Sequence, residues 1–157
     1  MFGLFKSPPF VDPALGTLAR SGGLWRCRIR LDGADAAIPL AVAGPRAAPD
    51  PAALALARAV AASYPAWRGP LAAALFDHYQ PYAEAGADEA GGAPAPVIAG
   101  PSAVWPHVSP VFVAVAPLDG ALATEIGLNV AWDEEHTLAA RFRDGQLVEL
   151  NGSVVAP

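Results

Sequence analysis

The chain has 157 residues, enough for about one domain of ordinary size. Hydrophobic residues make up 54% and charged residues 16%, which excludes a wholly disordered chain. The net charge of −5 argues against a nucleic-acid binder working through a basic face. The single cysteine, Cys27, rules out an intrachain disulfide and a cysteine-rich zinc site.

The first third reads as β. Residues 15–20 alternate weakly, and Ser21-Gly22-Gly23 is a turn signal. Residues 24–31 alternate strictly. Trp25, Cys27, Ile29 and Leu31 form an apolar face, and Arg26, Arg28 and Arg30 a basic one. Asp32-Gly33 is a turn pair, and residues 36–42 make a third strand. The expectation is a three-stranded antiparallel meander.

The middle third reads as helix. Asp50 is a capping residue and Pro51 suits the first helical position. Pro65 predicts an end near Tyr64, and Gly69-Pro70 a second start. In the second segment Leu71, Leu75, Phe76, Tyr79 and Tyr82 share one arc until Pro81 ends or kinks it. The expectation is an antiparallel helix pair on one sheet face. Residues 84–96 are rich in Ala, Gly, Pro and acid and predict a flexible loop. Residues 90–118 carry no charge, but six prolines interrupt them, so they predict no membrane span. Residues 1–9 lack a long apolar run, which leaves the cytoplasm as the expected location.

The last third is again β. Strands are expected over residues 111–116, 124–132, 137–142 and 146–150, with turns at Asp144-Gly145 and Asn151-Gly152. Ile126, Leu128, Val130 and Trp132 fall on one face, so Trp132 is expected as a core anchor. Strands, helices and strands in separate blocks predict one α+β domain over residues 1–157 with an antiparallel sheet.

The densest polar run is Asp133-Glu134-Glu135-His136, expected as a hairpin loop. Carboxylates beside an imidazole could hold a metal or act as acid and base, but neighbours on a tight turn point apart. The bland reading is a turn whose side chains bond backbone N–H groups. His78 and His107 show no ligand spacing with His136. Phosphate-loop, dinucleotide and nucleophile-elbow motifs are missing. No cofactor, metal or catalytic residue is therefore assigned. Candidate binding residues are Asp133, Glu135 and His136, with Arg26, Arg28 and Arg30 as a second, basic face.

Residues 128–136, containing Trp132-Asp133-Glu134-Glu135-His136, and then Asp144-Gly145, resemble a group of small uncharacterised bacterial proteins with a C-terminal W-D-x-E-H hairpin. The resemblance covers most of the chain and implies no activity. Some members are similar in size and style to immunity proteins of toxin systems. Together these readings favour a non-enzymatic module that binds a protein partner, with no nucleic acid and no membrane. The alternative is a small metal-dependent hydrolase using the Asp133 to His136 segment.

Overall fold

A computed structural model describes residues 6–86 and 94–157. Eight strands form one sheet in simple chain order: β1 (Phe10–Asp12), β2 (Gly16–Ser21), β3 (Leu24–Ile29), β4 (Ile38–Val42), β5 (Val108–Leu118), β6 (Ala121–Val130), β7 (Asp133–Arg143) and β8 (Gln146–Val154). Every neighbouring pair is antiparallel except β4 and β5. Those two run parallel, with Leu40 opposite Val113 and Val42 opposite Val115. A parallel pair needs a long crossover, and here a helix, α1 (Pro51–Ala85), supplies it. The α+β class therefore stands, with a mixed, mostly antiparallel sheet.

The expected helix pair is corrected: α1 is one helix of 35 residues that runs through Pro65, Pro70 and Pro81. Each proline removes one bond to the carbonyl four residues earlier. Those carbonyls belong to Ala61, Ala66 and Asp77, and these residues and the three prolines are all exposed. Water can satisfy what the prolines leave unpaired. The buried face meanwhile keeps its phase, through Ala57, Val60, Tyr64, Leu71, Leu75 and Tyr79. Asp50 caps the start as expected, accepting from the Ala53 N–H at 2.9 Å.

The helix covers one sheet face. Its apolar stripe meets Leu18, Trp25, Leu40, Val42, Val113, Val115, Ile126, Leu128, Leu138 and Phe142 in one core. Trp25 is fully buried and donates its indole N–H to the Pro45 carbonyl at 3.0 Å. Cys27 is half-buried, and burial pushes its thiol up. On the opposite face, the Phe112 ring lies over Gly127, its cross-strand partner; a Cβ there would collide with the ring. Glycine at this point lets the aromatic ring shield the backbone.

The C-terminal hairpins are longer than the sequence pattern suggested. Asp119-Gly120 and Asp144-Gly145 both have positive φ in each residue, the mirror-image turn that matches strand twist. Asn151 and Gly152 lie inside β8 instead of forming a turn, and the Asn151 side chain accepts from the Ser153 N–H at 3.0 Å. Of the segment expected as a loop, residues 84 and 85 complete α1, and residues 87–93 lie outside the described residues. Beyond them Tyr79 donates to the Pro96 carbonyl at 2.7 Å and accepts from the Ile98 N–H at 3.2 Å, which ties the returning chain to the helix. Among the described residues no helix is long and apolar enough to cross a membrane.

Candidate functional site

The site lies where the last turns of α1 meet the β6–β7 hairpin. Asp133 to His136 do not form a loop: they open β7, and only Ala131 and Trp132 turn the chain. The expectation failed because a tight turn of two residues suffices once the register slips at Asn129. The slip removes the mismatch that a longer polar loop would otherwise absorb.

Strand alternation then sends neighbouring side chains to different faces. Asp133 is buried, with its side chain 7% exposed, and His136 is about half exposed at 48%. Asp133 Oδ2 accepts from the Tyr82 hydroxyl at 2.7 Å, and its Oδ1 lies 2.9 Å from His136 Nδ1. Burial pushes the Asp133 carboxyl up, but the Tyr82 and His136 contacts outweigh it, and the net direction is down. The same bond to Asp133 pushes Tyr82 up to about 12. Asp133 therefore stays ionised, Tyr82 stays a donor, and the ring of His136 is oriented through Nδ1.

One helical turn before Tyr82, His78 accepts at Nδ1 from the Trp132 indole N–H at 3.0 Å. Trp132 is buried in the core as expected, and Tyr79 meets it edge-on at 5.5 Å. Burial pushes His78 down, which suits an imidazole that must accept a bond.

Two hollows flank the hairpin. One, of about 350 Å³, is bounded by Tyr82, Gly86, Ala95, Trp132, Glu135 and His136. The other, of about 320 Å³, is bounded by His107, Ser109, Asn129 and Val130. Asp133 and Glu134 border both. Glu134 and Glu135 are exposed and join no ion pair among the described residues.

The structure thus brings Asp133 and His136 together and sets Glu135 beside them. It does not bring the three histidines together as a ligand set. Among the described residues no three His, Cys, Asp or Glu side chains converge to hold a metal ion. Arg26, Arg28 and Arg30 lie on or just beyond β3, across the sheet from the hairpin. Arg26 donates to the Ser21 carbonyl at 3.0 Å and to the Pro157 carbonyl at 2.7 Å, and Arg28 donates to the Ala37 carbonyl. Arg30 is exposed.

Sequence reasoning missed Tyr82 as a polar partner. The signal was the i, i+4 pair His78 and Tyr82 on one helix face, whose rings lie 5.4 Å apart. It also missed two ion-pair groups. Arg141 sits between its cross-strand neighbours Glu125 and Glu149, at 2.7 Å from each. Arg58 reaches the buried Asp12 at 2.8 and 2.5 Å and, with the Ala14 and Leu15 N–H groups, holds that carboxyl at about 2.

No match is found among curated proteins or among solved structures. Residues 15–155 match the family described as a domain of unknown function (DUF6985), and the chain belongs to that family.

Proposed function

We propose that this chain is a cytoplasmic, non-enzymatic binding module, immunity-like in style, whose acidic β6–β7 ridge engages a basic surface on a protein partner. One observation carries the reading. Glu134 and Glu135 stand exposed on a ridge between two hollows, with no cation paired to them among the described residues. Asp133 beside them is already satisfied by Tyr82 and His136, so it braces the ridge from within. Opposed charges steer encounter and select partners, and a preorganised ridge limits the ordering cost of binding. The Arg26, Arg28 and Arg30 face belongs to the same proposal as a second contact, for acidic groups of the partner, because no Asp or Glu side chain pairs with these guanidinium groups among the described residues.

The test is a Glu134→Lys, Glu135→Lys double variant. A partner captured by the wild-type chain is purified, and its affinity for both forms is measured at two salt concentrations. The reading expects at least roughly tenfold weaker binding by the variant, a loss that shrinks at high salt, and unchanged melting. Equal affinity for both forms overturns it.

A further inference from the structure

Asn151 and Gly152 stand in β8, the last strand of the sheet, with no strand on its outer side among the described residues. Thr137 pairs with Val154 and Ala139 with Asn151, so Leu138 alone faces both Gly152 and Ser153. That is a β-bulge, which leaves one residue of the strand outside the ladder. Gly152 and Ser153 are exposed, and Asn151 is half-buried.

The Asn151 side chain curls along its own backbone. Its Oδ1 accepts from the Ser153 N–H at 3.0 Å. Closing that contact folds the side-chain amide over the Gly152 peptide, whose nitrogen lies between the two bonded groups along the chain. The amide Nδ2 makes no bond among the described residues. Gly152 has no Cβ to keep a carbonyl carbon from approaching its nitrogen. The other asparagine, Asn129, is placed differently. It lies on the inner strand β6, its Oδ1 accepts from the Thr137 hydroxyl, and the stiff, β-branched Val130 follows it.

We propose that Asn151 is a self-modifying site, at which the folded chain loses ammonia and residue 151 becomes aspartate or isoaspartate. The Gly152 nitrogen gives up its proton to solvent base and attacks Asn151 Cγ, forming a new C–N bond. The Cγ–Nδ2 bond breaks, and Nδ2 takes up a proton from solvent and leaves as ammonia. Oδ1 is retained in the resulting five-membered imide, so the Ser153 N–H keeps its bond and steadies the charge that builds on Oδ1 during attack. Water then opens the imide. Attack at Cγ gives aspartate; attack at the main-chain carbonyl leaves the chain linked through the side chain, as isoaspartate. Either product adds negative charge to a chain already at −5, two residues from Glu149 on the same strand face. Isoaspartate also lengthens the main chain by one carbon and shifts residues 152–154 out of register. Val154 then loses Thr137, which extends the part of β7 that β8 leaves unpaired. The proposal rests on β8 and does not depend on the reading of the acidic ridge.

The test is to incubate the folded full chain at neutral and mildly alkaline pH and to map the products by peptide mass spectrometry and isoaspartyl methyltransferase labelling. Deamidation at Asn151 is expected, with isoaspartate in the majority, faster at the higher pH and with Asn129 intact. Isoaspartate formed at Asp119 or Asp144 brings no mass change and is told apart by that. A Cβ at Gly152 would make only ordinary contact with His78, so Gly152→Ala should fold and slow the reaction roughly tenfold or more. Denaturant well below the unfolding transition should leave the wild-type rate unchanged. Hydrogen exchange on the isoaspartate form, separated by ion exchange, should be faster at residues 152–154 and unchanged in β5 and β6. Absence of deamidation in the folded chain overturns the proposal. So does an equal rate in Gly152→Ala, or a rate that climbs with the unfolded fraction. Unchanged exchange at residues 152–154 overturns the register shift.

Discussion

The four strands before α1 and the four after it solve the same problem in different ways. β1 to β4 are three to six residues long, and the arginines of β3 spend their hydrogen bonds on backbone carbonyls. β5 to β8 are nine to eleven residues long and pair side chain with side chain, in Glu125–Arg141–Glu149 and in Tyr82–Asp133–His136. Each block is tied to α1 by one polar pair, Asp12–Arg58 in the first and Asp133–Tyr82 in the second, but only the second adds a cross-strand framework of its own, Glu125–Arg141–Glu149. What joins them is the parallel β4–β5 seam and the helix that spans it. Local hairpins need only short loops, whereas a parallel seam forms only when distant segments dock.

The largest test of that comparison uses one buried tryptophan from each block. Trp25→Ala and Trp132→Ala should each destabilise by about 3–5 kcal/mol. If the helix and the seam make the two blocks one cooperative unit, both variants shift a single denaturant transition. Two separate transitions would break the sheet into independent halves.

Gly127→Ala is the next largest. The added Cβ meets the Phe112 ring, so a loss of about 1–3 kcal/mol is expected. Adding Phe112→Leu should recover part of it, and a strictly additive double variant would refute the contact. Tyr82→Phe removes one bond to a carboxylate at a half-buried position and should cost about 1 kcal/mol. A double-mutant cycle with Asp133→Asn should show coupling between the two residues.

Acid should separate the two blocks by pH. His78 in the folded chain sits below its ordinary value of about 6.5, because burial disfavours the imidazolium. The stability linked to it is complete above 6.5 and falls as pH drops through the folded value. Protonated Nδ1 can no longer accept from Trp132. Asp12 is held at about 2 by Arg58, so its contribution is present above the ordinary carboxylate range and is lost only as pH falls toward 2. Unfolding midpoints measured across pH should therefore show a first loss that His78→Gln removes. A second loss, at lower pH, should be the one that Arg58→Ala reduces.

Much of this was legible in the residues alone. The strands of the second block, the Asp50 cap and the Asp144-Gly145 turn follow from patterns within a few residues. So does the core place of Trp132, even though it turned out to sit in the turn and not on the strand. β1 escaped notice because three residues are too few to show a period. The prolines of α1 misled because their residue type signals a break, while their tolerance depends on which face looks to water.

Composition and local periodicity determined the α+β class, the order of strand and helix blocks and the identity of most core residues. These depend on contacts within a turn or a hairpin, which the chain makes with near neighbours. Only the tertiary structure decided that the helix is continuous, that β4 and β5 meet in parallel, and that Tyr82 and His78 reach residues 51 and 54 positions away. Those contacts exist because burying the stripe of α1 against the sheet fixes one docking, and that docking sets which polar groups face each other.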